Sequence, residues 1–260
     1  MNTFALTLRQ TRFELRSYRR NRAAMMFTLF FPLMFLVIFS LGSSDRTAEF
    51  RGGDIPFIQF FMGGIVAYGL IGATFTSLAM RIVNQREQGV LKRVKGTPLP
   101  ASAYIGGQLG SSLVIAIVIT AVTIAIAVGL YDASVYAHTL LALLAAIIVG
   151  SMSFCAIGLA LASVIPNADS APAIVNFTFL PLAFISDIFY SLSDAPHWLG
   201  SIASFFPVKH LANALQLCFD PRTAGSGFSG HDLLVMAIWG VAATVFCLKR
   251  FRWESTRSAG

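Results

Sequence analysis

The feature that most narrows the possible folds is a succession of long apolar runs whose interiors carry no Asp, Glu, Lys or Arg, apart from Asp187 near the outer end of the fifth. They occupy residues 23–42, 57–80, 102–130, 138–165, 171–190 and 233–250. A helix needs about 20 consecutive apolar residues to cross the hydrocarbon of a bilayer, and each run meets that length. Composition agrees. Of the 260 residues 56% are hydrophobic and only 12% charged, with a mean hydropathy of +0.71, whereas charged residues make up about a quarter of a soluble domain. The expected fold class is all-α integral membrane: one domain over residues 1–260 with six transmembrane helices.

The formal net charge of +7 could suggest nucleic acid, but the positions of the charges argue against it. Fifteen of the nineteen Lys and Arg residues lie in three patches, up to Arg22, within residues 81–100 and from Lys249 onward, each beside an apolar run. Asp45, Glu49, Asp54, Asp132, Asp187, Asp194, Asp220 and Asp232 fall in the opposite loops. Lys and Arg resist translocation, so both termini and the 81–100 loop are expected in the cytoplasm, with no nucleic-acid partner. Cys155, Cys218 and Cys247 are scattered apolar packing residues and not a disulfide framework.

Residues 2–22 predict an amphipathic interfacial helix. Phe4, Leu8, Thr11, Leu15 and Tyr18 form one stripe for the lipid, and Arg9, Arg12, Arg16 and Arg19 lie beside it at the level of lipid phosphates. Arg19-Arg20 ahead of an apolar run imitates an export signal, but the Phe-rich stretch that follows is longer than a signal core of about 7–15 residues. It is read as a retained first span. The second span carries Gly63, Gly64, Gly69 and Gly72 for close helix packing, with Tyr68, Thr74, Thr76 and Ser77 as polar members. The fifth carries Pro172, Pro181 and Asn176, the last expected to make an interhelical hydrogen bond. Residues 191–231 are too long for a simple connection. Asp194 and Pro196 predict a helix start, and Pro207 opens a second short helix with Val208, Leu211, Leu215 and Cys218 opposite Lys209, Asn213 and Gln216. Such pieces dip into the outer leaflet as a re-entrant segment or lie on it.

The most informative stretch is the polar loop 81–100. Read as a helix, Arg81, Gln85, Gln88, Lys92 and Lys95 share one face, while Val83, Glu87, Val90 and Val94 share another, which places a lone carboxylate in an apolar stripe. Gly89 is expected to break this helix in two, and Thr97-Pro98 and Pro100 end it. Residue types alone leave two readings open: an interfacial connector whose charges meet lipid phosphates, or a docking element in which Glu87 is held by a basic group.

Arg86-Glu87-Gln88-Gly89, followed by Leu91 and Thr97-Pro98, resembles the cytoplasmic signature of the type-2 ABC exporter permeases, the membrane subunits of ATP-binding-cassette transporters. The order of five spans, an outer re-entrant segment and a last span is similar too. The family pattern often has two glutamates around the arginine, where this chain has Gln85 before Arg86. The resemblance implies that residues 81–100 are a coupling helix contacting a separate ATPase subunit, through Arg81, Gln85, Arg86, Glu87 and Gly89. It also implies a translocation path along the second and fifth spans, hence Tyr68, Thr74, Asn176, Phe177 and Phe184. The implied partners are cytoplasmic ATP-binding-cassette subunits, a second permease copy or a sister permease, and membrane lipids, in a bacterial plasma membrane. ATP and Mg belong to the partner subunit, with no cofactor in this chain.

No catalytic residues and no metal site are read from the sequence. His138, His197, His210 and His231 are dispersed, and no Lys is followed by Ser or Thr, so the phosphate-binding lysine of a P-loop is missing. The chain is expected to be a transport subunit and no enzyme. A Phe-rich path without buried charge suits a lipophilic or amphiphilic cargo such as a drug, a lipid or a lipid-linked molecule, and drug export would give antibiotic resistance. Two other readings are a non-transporting scaffold or sensor subunit recruiting a soluble partner, and an ion-coupled carrier, which the empty spans disfavour.

Overall fold

The computed structural model describes residues 2–41, 46–192 and 196–250. The order is α1 (Thr3–Arg20), α2 (Arg22–Ser40), a hairpin of β1 (Thr47–Phe50) and β2 (Gly53–Pro56), α3 (Phe57–Ile71), a π-helical turn (Gly72–Thr76), α4 (Ser77–Glu87) and α5 (Val90–Lys95). There follow α6 (Ala101–Tyr131), a 3-10 turn (Ala137–Thr139), α7 (Leu140–Val164), α8 (Ala171–Phe184), α9 (His197–Phe205), α10 (Pro207–Phe219) and α11 (Gly230–Arg250). The expected helix start at Asp194 and the basic residues beyond Arg250 lie outside the described residues.

Helix α3 is the axis. From Gln59 to Ile71 every residue except Tyr68 is buried. Its glycines are what allow other elements to close on it. A Cβ on Gly63 would stand 2.5 Å from the backbone of Gln216 in α10, and one on Gly64 would stand 2.0 Å from the Ile188 carbonyl oxygen. Within hydrocarbon, where burial from water cannot drive association, such close approach supplies the packing energy. Helix α7 crosses the π turn at Gly158 and receives α11, whose Gly240 sits against Ser153. Apolar side chains point outward along α6 and α11, Val118, Leu130, Val241 and Leu248 among them, as lipid-facing helices require.

Among the described residues, four helical stretches are long and apolar enough to cross a membrane: Phe57–Glu87, Ala101–Tyr131, Ala137–Val164 and Gly230–Arg250. Of the other two expected crossings, α2 runs from Arg22 to Ser40, and the fifth forms a shorter apolar helix, Ala171–Phe184. Helix α8 has 14 residues, about 21 Å at 1.5 Å per residue, and the chain turns after it, with Asp187 at φ 56°.

Several expectations need correction. The boundary expected between a span ending at residue 80 and a separate loop helix does not exist, because α3, the π turn and α4 form one unbroken rod to Glu87. Gly89 does divide the loop helix, at φ 70° between α4 and α5. The lipid stripe of α1 is split: Phe4 and Leu8 are exposed, while Leu15 and Tyr18 pack on the core. Helix α10 is buried on nearly all sides, including the supposedly polar Gln216, which donates to the Asp187 carbonyl at 2.7 Å. The β-hairpin is a small departure from an all-α chain. Its two-residue turn, Arg51-Gly52, has positive φ at both positions, the geometry that matches strand twist.

Candidate functional site

At the foot of the rod, α4 presents two adjacent charged residues to the turn between α7 and α8. Arg86, 7% exposed, donates through Nη1 to the Ala162 carbonyl at 3.1 Å and through Nη2 to the Ile165 carbonyl. The last carbonyls of a helix lack intrahelical partners and carry partial negative charge, so a guanidinium fork fits the end of α7. Glu87 Oε2 accepts the Ala168 amide at 2.5 Å, just ahead of α8. Neighbours in sequence thus grip the two sides of one turn. Beyond them Gly89 redirects the chain into α5, where Lys92, Arg93 and Lys95 are exposed.

One turn higher lies a buried polar cluster. Glu14 of α1 is 1% exposed and its Oε1 accepts from Gln10 and from Gln108 of α6, both at 2.9 Å. Arg81 stands 3.9 Å from Glu14 and donates to Ser112 Oγ at 3.0 Å. The Tyr104 hydroxyl donates to Gln85 Oε1 at 2.5 Å, and Gln108 Nε2 lies 3.2 Å from both. Burial pushes the Glu14 carboxyl above its ordinary range, partly offset by Arg81 and by the Gln10 hydrogen bond. Helix α1 approaches this closely because α6 is bare there. A Cβ on Gly106, Gly107 or Gly110 would meet Thr7, Gln10 or Thr11 at 2.9, 2.3 or 2.7 Å.

The five expected coupling residues therefore separate into layers. Arg86 and Glu87 hold the α7–α8 turn, Arg81 and Gln85 hold α1 and α6, and Gly89 makes the bend. Sequence reasoning missed Glu14, Tyr104, Gln108 and Ser112. The signal was present as a second stripe on residues 2–22, Thr7, Gln10, Thr11 and Glu14, opposite the glycines of residues 106–110.

The expected path residues are dispersed. Tyr68 and Asn176 line one groove of about 360 Å³, formed by Thr28, Phe31 and Pro32 of α2, Gly69, the π turn and Phe179 of α8. Asn176, exposed to this groove, has no hydrogen-bond partner among the described residues. Thr74 is fully buried and donates to the Leu70 carbonyl at 2.7 Å. Phe177 is 83% exposed and Phe184 is 50% exposed, so neither is enclosed by the groove. Aromatic rings back it, with Tyr68 edge-on to Phe35 at 5.8 Å and tilted on Phe179 at 5.4 Å.

The π turn governs the polarity of this wall. Each π turn shifts the hydrogen-bond ladder by one residue, and such turns occur frequently at functional sites. Here the Gly72 carbonyl accepts both the Ser77 amide and the Ser77 hydroxyl, the latter at 2.8 Å. The carbonyl that a helical Thr76 would normally use is thus occupied, and its hydroxyl is buried beside the groove without a partner among the described residues.

Comparison with known proteins places these features in a family. The chain is 21% identical to the putative transport permease YvfS of Bacillus subtilis, over 77% of this chain and 80% of the relative. It is 18% identical to the inner membrane transport permease YadH of Escherichia coli K12, over 72% and 71% respectively. It is 26% identical to the daunorubicin resistance ABC transporter permease protein DrrB1 of Streptomyces coeruleorubidus, over 72% and 63%. The sequence profile of the ABC-2 type transporters matches residues 3–219, a stretch containing the clasp formed by Arg86 and Glu87, the buried cluster and the groove. The chain is a multi-pass membrane protein belonging to the ABC-2 type transporter permease family.

Proposed function

We propose that this chain is the membrane-spanning subunit of an ATP-driven exporter, forming the path for a lipophilic or amphiphilic cargo and worked by a separate cytoplasmic ATPase subunit. In this reading the chain crosses the membrane six times, with α2 and α8 as its first and fifth crossings, α9 and α10 as a re-entrant outer segment and both termini in the cytoplasm. It pairs with a second copy or a sister permease. ATP and Mg are held by the ATPase. The clasp supports this reading most directly: the 81–100 loop begins inside a membrane-length rod and is fastened through Arg86 and Glu87 to α7 and α8. Force applied to the loop has a stiff route to the π turn and to the α2–α3–α8 groove.

Coupling of this kind needs ATPase contacts that differ between two states, and the exposed basic side of α5 and the Gly89 bend are the surfaces offered. The groove, with ring faces and a few neutral polar groups, suits an amphiphile more than an ion. The test is reconstitution in vesicles with and without an ATP-binding-cassette subunit, following daunorubicin and a fluorescent phospholipid. Accumulation that needs both chains and ATP is expected. Equal flux from the permease alone, or flux driven by a proton gradient, would overturn the proposal.

A further inference from the structure

At the end of the bundle opposite α5, His210 of α10 is enclosed between two acceptors. Its Nδ1 lies 2.6 Å from Asp232 Oδ1, in the first turn of α11, and its Nε2 lies 2.9 Å from the Ser204 carbonyl oxygen in α9. A neutral imidazole has one N–H and satisfies one acceptor; only the imidazolium satisfies two. The Asp232 carboxylate is itself held charged. Ser229 donates to its other oxygen at 2.5 Å, Arg51 stands 3.5 Å away, and a helix N-terminus favours negative charge. Among the described residues the remaining titratable and charged neighbours are His231, with Nδ1 3.7 Å from Asp232 Oδ1, and Lys209, paired with Asp187 at 3.5 Å.

We propose that His210 is a proton-operated latch: doubly protonated it ties α9 and α10 to the start of α11, and loss of one proton releases α9 at Ser204. Asp232 is the stronger acceptor because it is charged, so the surviving N–H stays with it. The bare Nε2 then faces the Ser204 carbonyl lone pairs. Phe205 remains held by Trp239, whose indole donates to its carbonyl at 2.9 Å, so the release pivots there. Burial disfavours the cation, but the bonds to Asp232 and Ser204 outweigh it and raise His210 above its ordinary 6.5. The latch is therefore closed below pH 6.5 and opens as pH rises through the higher folded value.

A metal ion is the competing occupant, because the rings of His210 and His231 lie 5.3 Å apart beside the carboxylate. Two ligand atoms about 2.0–2.1 Å from a tetrahedral zinc stand about 3.3 Å apart. The 2.6 Å separation of His210 and Asp232 is that of a short charge-assisted hydrogen bond, and the Arg51 guanidinium beside the carboxylate opposes a cation.

The inference is independent of ATP coupling, and its test uses the full chain in lipid nanodiscs, where both membrane faces see one buffer. Amide exchange of residues 197–206, corrected for the intrinsic pH dependence of exchange, is followed from pH 5.5 to 9. In the wild type and in His231→Gln, protection should fall about tenfold across this range, the size expected for loss of one charge-assisted hydrogen bond. In His210→Gln it should be independent of pH. A flat wild-type profile overturns the latch, as does a His210→Gln profile that keeps the fall. Zinc that restores protection at high pH in the wild type but not in His231→Gln would assign the site to metal and overturn it equally.

Discussion

Arg86 and Glu87 are consecutive residues that bond to opposite sides of one turn, the guanidinium to the carbonyls of Ala162 and Ile165 and the carboxylate to the amide of Ala168. The order of charges matches the turn. The C-terminal end of α7 is electronegative and the approach to α8 offers an N–H group, so a reversed pair would face like partial charges. A basic-acidic dipeptide is thereby an internal fastening between the loop and two membrane helices.

Separate losses are expected from the two halves of this fastening. Arg86→Ala leaves buried carbonyls without a donor and should cost about 2 kcal/mol, read as a lower unfolding temperature in detergent. Glu87→Ala removes an acceptor at a half-buried site that water can partly replace. If the proposed ATPase coupling runs through this loop, its main effect should be on transport per ATP hydrolysed, falling roughly tenfold, which corresponds to about 1.4 kcal/mol, with membrane insertion unchanged. Wild-type coupling in Glu87→Ala would remove Glu87 from the mechanism.

Much of this was legible in the sequence, and the parts that were not share a cause. Apolar runs mark the long helices because hydrocarbon imposes length and composition at once. The bend at Gly89 was legible because a positive φ there needs glycine. Run length overstated α8, whose helix stops at Phe184, since apolar residues also line the turn packed on Gly64. Charge misled in the opposite direction. Glu14 was passed over and Gln216 was placed on a polar helix face, yet both are buried, because polar side chains enter a packed interface where another element supplies a partner. Partners so distant in sequence, Gln108 for Glu14 or Asp187 for Gln216, leave no local periodicity.

Glu14 should give a pH signature. Its folded pKa is raised by burial, so protonation contributes stability that is fully present below the unfolded value of 4.5 and is lost as pH rises through the folded value. The wild type should gain stability relative to Glu14→Gln on acidification from pH 7 toward 4.5, because the glutamine keeps acceptors for Gln10 and Gln108 but does not titrate. Parallel stability curves for the two proteins would place the charge elsewhere.

The α1–α6 contact can be tested at a glycine. In Gly107→Ala the new methyl would lie 2.3 Å from Gln10 Cγ and 2.6 Å from its Cβ, atoms too close to the helix backbone to swing aside. Overpacking of this sort costs about 1–3 kcal/mol, and α1 should lose amide protection as it is displaced from Glu14's partners. Gly129→Ala in the same helix meets nothing within 4 Å and should gain about 0.5–1 kcal/mol from helix propensity. A similar response in both variants would show that propensity, and not contact, decides.

Thr76 separates packing from cargo binding in the groove. Its hydroxyl is buried without a partner among the described residues because Ser77 has taken the Gly72 carbonyl. An unsatisfied buried hydroxyl contributes nothing to folding and carries a desolvation cost of about 1–3 kcal/mol. Thr76→Val, nearly equal in shape, should therefore leave the unfolding temperature unchanged or raise it. If the hydroxyl serves a cargo donor or acceptor in the groove, the same variant should transport such an amphiphile less well by roughly tenfold, while one without a hydrogen-bonding group should be unaffected. A variant that is more stable and transports both probes like the wild type would leave the groove as packing space, and the path would have to run elsewhere on the bundle.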